Sequence, residues 1–200
     1  MKPTIGITMG DAAGVGPEII AKTLSLKEIY DICRPIVLGD ASVMKEAARI
    51  AKVDININPV GSLEDGRFEY GTMDILDLKN IDLGNLRMGQ VNPMAGKASV
   101  EYVEKVVELA LNGEVKAIAT APINKEAMNT AGYKYAGHTE LLAHLTGTKH
   151  YAMMLVEGPL RVTHVTTHVS LREACQMIKK ERVFKVVLSL IHISEPTRPY

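Results

Sequence analysis

The chain of 200 residues contains no tryptophan, aromatic residues make up only 4% of it, and it has two cysteines. Cys33 and Cys175 are too few and too far apart for a disulfide framework or a zinc cluster, and they fit a reducing, cytoplasmic setting. Neither charge predominates: 23 Lys and Arg balance 23 Asp and Glu. A nucleic-acid binder or a protein working at an anionic membrane carries a basic excess, so neither partner is expected. No apolar run reaches the length that spans a bilayer. The N-terminus MKPTIGITMGD lacks the apolar core of a signal peptide. Hydrophobic residues at 46% are sufficient for a real core. With aromatics scarce and Ala, Ile, Val, Gly and Met plentiful, small aliphatic packing of helices on sheets is expected.

Strand and helix patterns alternate along the chain. TIGITMGD (4–11) reads as a buried strand ending in a turn, and GPEIIAKTLS (16–25) as a helix with Pro17 and Glu18 in its first turn. PIVLGD (35–40) is a second strand, ASVMKEAARIAKV (41–53) a helix and DINI (54–57) a third strand. Residues 61–92 read as turns and short strands without a definable order. Val100, Val103, Val106, Val107 and Ala110 recur at helical spacing in 94–113, with Gly113 as the stop. A strand at 115–122, helices at 123–132 and 137–147, strands at 151–158 and 160–170, and one helix over 171–187 follow. Such alternation predicts an α/β fold with an at least partly parallel sheet.

Four stretches carry chemistry. GDAAGVGPE (10–18) spaces its glycines G-x-x-x-G-x-G, which is neither a dinucleotide fingerprint nor a P-loop. The glycines permit either a plain turn or close approach of a ligand to the backbone. TAPINKEA (120–127) sets Asn124 and Lys125 just past a buried strand, where α/β sheets hold ligands. Lys125 there either binds a phosphate or carboxylate or is a solvated lysine. GHTE (137–140) joins the His138 imidazole to the Thr139 hydroxyl at a helix start, with Thr139 as a plausible cap. RVTHVTTHVSLRE (161–173) places His164 and His168 on one face of an extended strand, about 13 Å apart at ~3.3 Å per residue. They do not chelate one ion. His168, at the end of the strand, is the metal-ligand candidate and mid-strand His164 a packed residue. His144 and His150 read as exposed, and Cys175 as a small core residue.

Taken together and in order, ITMGDAAGVGPEII, TAPINKEAM, AGYKYAGHTE and RVTHVTTHVSLRE resemble the 4-hydroxythreonine-4-phosphate dehydrogenase family and its D-threonate/D-erythronate 4-phosphate dehydrogenase relatives. GVGPE is similar to the turn of the isocitrate and isopropylmalate dehydrogenases. The resemblance implies the N-terminal part of an isocitrate/isopropylmalate dehydrogenase-like α/β/α architecture. It also implies NAD- or NADP-dependent oxidation of 4-hydroxythreonine 4-phosphate to a 3-keto acid that decarboxylates, in vitamin B6 biosynthesis. Oxidation of D-threonate or D-erythronate 4-phosphate is the alternative, as is an inactive fragment or binding module. A homodimer and a divalent cation (Zn, Mg or Co) are implied as well. Carried over by position, His138 and Thr139 bind substrate and His168 is one of three metal-binding histidines; the other two have no counterpart here. Ala12 stands where the family usually has proline.

Residues 188–200 stand apart. LSLIHISEPTR (188–198) resembles the translated mosaic end of a transposase sequencing adapter. Residues 1–187 are accordingly expected to be an incomplete dehydrogenase and 188–200 a non-native tail. On that reading His192 has no function, and the chain folds poorly and does not turn over substrate.

Overall fold

The structure, a computed structural model, describes residues 2–149, 151–167 and 169–194, with side chains through residue 190. It divides into two units, residues 1–146 and 147–200.

The first unit is built on five parallel strands: β1 (Thr4–Thr8), β2 (Arg34–Gly39), β3 (Asn56–Val60), β4 (Thr72–Asp77) and β5 (Ala117–Thr120), in the order β3-β4-β2-β1-β5. The central strands are close to continuously apolar, as expected where a parallel sheet is covered on both faces. Ile36, Val37, Leu38, Met73 and Ile75 have no exposed surface. α1 (Gly16–Leu24) and α3 (Ala41–Ala51) lie on one face and α4 (Pro93–Leu111) on the other. The pleat assigns these sides: a side chain at Gly6 would run into Val106 of α4, whereas Ile7 looks toward Ile19 and Ile20 of α1.

α4 is buried on two sides, which its near-continuous apolar sequence allows. Ala95, Ala98, Tyr102, Val106 and Leu109 join the sheet core. Val100, Val103 and Val107 pack instead on Met128 of α5 (Lys125–Thr130) and Leu141 of α6 (His138–Leu145). Gly96 allows α5 to approach backbone to backbone, because a β-carbon there would collide with the Ala127 carbonyl. The helix starts follow from their caps: the Asp40 carboxylate accepts from Ser42 and Val43 N–H to start α3, and Asn92 does the same for α4.

Several expectations are corrected. A short helix, α2 (Lys27–Ile32), intervenes before β2, and residues 61–92 contain the fully integrated β4. β3 starts two residues later than DINI and runs through Pro59, which an edge strand tolerates.

In the second unit β6 (Met154–Glu157) and β7 (Leu160–Thr163) form an antiparallel hairpin around Gly158, followed by α7 (Leu171–Met177) and α8 (Lys180–Ser194). β7 stops at Thr163, so His164 lies just past the strand rather than within it. The single helix expected over 171–187 is interrupted at Ile178, which is extended; nothing local in the sequence explains the break. Cys175 is exposed rather than in the core, since seven-residue α7 buries none of its residues. Residues 188–194 continue α8 as helix. Among the described residues no helix is long and apolar enough to cross a membrane.

Candidate active site

In an open α/β sheet, ligands sit outside the carboxyl ends of the strands where the chain reverses direction across the sheet. Here that point lies between β1 and β5: from β1 the chain proceeds outward to β2 and the edge strand β3, fills the place between them with β4, then crosses to the other side of β1 as β5. Two of the motifs meet there. Asp11 N–H donates to the Pro122 carbonyl (2.9 Å) and Ala121 N–H to the Thr8 carbonyl (3.1 Å), stitching the turn after β1 to the turn after β5. A β-carbon on Gly10, which is at φ +75°, would run into the Pro122 carbonyl, and one on Gly16 would lie 2.6 Å from the Met9 carbonyl oxygen. Two of the three glycines are therefore required by the chain's own close packing. Gly14 is different: a β-carbon there would meet nothing nearer than 3.4 Å.

GHTE joins the same region through Lys125. The Lys125 Cε lies 3.8 Å from where a β-carbon on Gly137 would stand, and a Glu140 carboxylate oxygen lies 3.7 Å from that position. Lys125 is exposed in the first turn of α5, after Asn124, whose side chain caps the helix by accepting from Ala127 N–H (3.1 Å). His138 is the first residue of α6. Its Nε2 is buried with no hydrogen-bond partner, and burial pushes its pKa below the usual histidine value. Burial without a partner disfavours the cation and so favours the neutral ring. Gly137, not Thr139, is the N-cap residue, and no side chain closes that cap. The Thr139 hydroxyl is thus not committed to capping.

Sequence reading did not single out Thr8, Asp11 or Glu140. Thr8 Oγ1 is fully buried without a partner at the end of β1. Asp11, only 5% exposed, accepts from Ala13 N–H (2.9 Å), and desolvation raises its carboxyl above the usual range despite that bond. A polar residue closing a buried strand was the available signal for both.

His168 and His150 lie outside the described residues. His164 lines a cavity of about 290 Å³ with Met153, Thr166 and Thr167 in the second unit, and its N–H donates to the Met153 carbonyl (3.0 Å). His144 is exposed, with Tyr135 beside its ring at 5.7 Å. Among the described residues no three His, Cys, Asp or Glu side chains gather to hold a metal ion. The residues described do not make up the divalent-cation site that the resemblance implies.

The parallel sheet between helical layers matches solved 4-hydroxythreonine-4-phosphate dehydrogenases, and with them the chain has the isocitrate dehydrogenase-like α/β fold. The chain belongs to the family of the pyridoxal phosphate biosynthetic protein PdxA, whose sequence profile matches residues 31–195. A provisionally named D-threonate 4-phosphate dehydrogenase of Clostridium botulinum is 48% identical over 187 residues, covering 94% of this chain and 56% of that protein. The crystal structure of a 4-hydroxythreonine-4-phosphate dehydrogenase from Burkholderia phymatum is 45% identical with a TM-score of 0.88, over 94% of this chain and 57% of that one. A structure of that name from Klebsiella pneumoniae is 37% identical with a TM-score of 0.89, over 100% of this chain and 60% of that one. The chain spans a little over half the length of the relatives it matches.

Proposed function

We propose that this chain contributes the β1–β5 crevice of an NAD-dependent dehydrogenase that oxidises a small phosphorylated hydroxy acid, with D-threonate 4-phosphate as the substrate. The observation that carries the reading is the convergence of Lys125 on the Gly137–His138 turn at the carboxyl end of the sheet. An ammonium suits a phosphate or carboxylate as a point charge. The half-buried imidazole, its neutral form favoured by desolvation, suits contact with a substrate hydroxyl. Thr139 offers a second hydroxyl contact.

The substrate choice is supported by the 48% identity to the Clostridium botulinum relative. The family name and the Burkholderia phymatum structure favour a second reading, 4-hydroxythreonine 4-phosphate. NAD accepts the hydride in both; NADP in its place, a homodimer and a cytoplasmic setting belong to the same proposal. A divalent cation belongs to it too, with His168 as the residue of this chain that would hold it.

The test replaces the matching 187 residues of the Clostridium botulinum relative with this chain's own. NAD reduction by the chimera with D-threonate 4-phosphate is expected to exceed that with 4-hydroxythreonine 4-phosphate. The opposite order overturns the substrate choice, and no reduction with either ester overturns the dehydrogenase reading in favour of a binding module.

A further inference from the structure

α1, α3 and the loop 82–92 enclose a cavity of about 250 Å³ that the β1–β5 crevice does not use. Pro17, Ala47, Ile50, Leu83, Leu86 and Met88 line it, so its walls are apolar. It lies on the α1 and α3 face of the sheet, whereas Lys125 and His138 belong to helices packed against α4 on the other face. Close packing leaves few voids of this size, and an apolar one gains little from water. Ile50, Leu83 and Met88 border it while remaining 39%, 42% and 50% exposed. A ligand seated there would take apolar surface of all three out of water.

The outer wall is built in advance. Within the loop the Asp82 carboxylate accepts from Gly84 N–H and the Asn85 amide, and the Asn92 amide donates to the Asn85 carbonyl. Gly89 N–H then donates to the Ala13 carbonyl (2.7 Å), fixing the loop to the turn before α1. A preformed wall spares a ligand the cost of ordering it. The rim is acidic, with Glu18 and Glu46 at the cavity. Arg49 neutralises Glu46, its Nε–H donating to the carboxylate at 2.9 Å. Glu18 is half-buried and, among the described residues, has no hydrogen bond or ion pair for its side chain. One carboxylate beside the apolar slot is left with no cation of the chain's own.

We propose that this cavity binds a small apolar primary ammonium, its body between α3 and the loop and its charge on Glu18. The volume falls below the ~300–1,000 Å³ of pockets for drug-sized ligands, which restricts the body to a single ring or a branched alkyl group. The inference stands on the cavity and its unmatched charge and does not depend on the substrate or cofactor proposed above.

The experiment is a methyl-resolved NMR titration of the 200-residue chain with benzylammonium, and with benzyl alcohol and benzoate as its neutral and anionic counterparts. Saturable shifts centred on the Ile50, Leu83 and Met88 methyl groups are expected at millimolar benzylammonium. It should bind at least about threefold more tightly than benzyl alcohol, the ratio a partly exposed ion pair supplies. Glu18→Gln is expected to abolish that preference while benzyl alcohol still binds. Ala47→Met, which fills the cavity, should lose benzylammonium. Ile50→Lys, an exposed change that tethers a competing ammonium at the mouth, gives the same loss should Ala47→Met fail to fold. The proposal is overturned if the shifts do not saturate or centre elsewhere, or if the alcohol or benzoate binds as tightly as the ammonium. It is equally overturned if Glu18→Gln leaves the preference intact, or if Ala47→Met and Ile50→Lys bind benzylammonium as well as the unaltered chain.

Discussion

Gly14 and Gly16 look alike in the sequence but not in the structure, and exchanging each for alanine separates two roles. At Gly16 the new β-carbon would stand 2.6 Å from the Met9 carbonyl oxygen and 3.1 Å from the Ala121 β-carbon. Both neighbours belong to the stitched ends of β1 and β5, and neither is the mobile tip of a side chain. Opening the first contact to an ordinary 3.4 Å separates α1 from the Met9–Asp11 turn by most of an ångström. Overpacking of this kind costs about 1–3 kcal/mol. Alanine's better helix propensity offsets little of that at a first helical position. A domain of this size loses ~2–4 °C per kcal/mol, so Gly16→Ala is expected to lower the melting temperature by roughly 2–12 °C. Gly14→Ala meets the Asp11 carbonyl oxygen at 3.4 Å and is expected to stay within ~0.5 kcal/mol of the parent. In the chimera, Gly14→Ala should raise KM if the backbone there approaches a ligand. Circular-dichroism melts of the two variants are the assay. Equal melting temperatures, or a larger loss at Gly14, would refute the packing argument.

Other consequences follow from the same turn. Ala12 is fully buried, and its N–H is absent from the turn's backbone hydrogen bonds, so Ala12→Pro should stabilise the chain by about 0.4–1 kcal/mol through the unfolded state; a loss in urea denaturation would show the backbone there to be incompatible. Burial lowers the His138 pKa, so the unfolded chain binds more protons and stability falls as pH drops below the ordinary value of ~6.5; His138→Gln should flatten that limb of a stability–pH profile. Burial raises the Asp11 pKa, which has the opposite sign: its contribution is complete below the ordinary value and lost as pH rises through the folded one. Asp11→Asn, which keeps an oxygen for Ala13 N–H, should therefore gain stability at pH 7 in the same measurement. Sequencing the source locus past the codon for Val187 is expected to diverge from LSLIHISEPTR; an intact genomic frame encoding it would make residues 188–200 native.

What could be read in advance was what local chemistry dictates. The helical spacing of Val100, Val103, Val106 and Val107 marked α4, and GPE marked the start of α1. β4 was lost among Gly, Asp and Asn because its single run, TMDILD, gains strand character only between β2 and β3. α2 has six residues and no side-chain cap, too little local signal to be seen. Lys125 and His138 were legible as motif positions, but their proximity arises from α5 and α6 packing on the outer face of α4. Gly10 and Gly16 were open to a ligand reading, and only the approach of β1 to β5 shows that the chain itself requires them. The extended run around His164 suggested a long strand, whereas β7 ends at Thr163 in a four-residue hairpin ladder with β6.

The most direct test of the crevice is an amide-resolved NMR titration of this chain with D-threonate 4-phosphate. Perturbations centred on Gly10, Asp11, Asn124, Lys125, His138 and Thr139, lost in Lys125→Met, are the predicted result. Saturable perturbations centred elsewhere, or none at millimolar ester, would contradict the account.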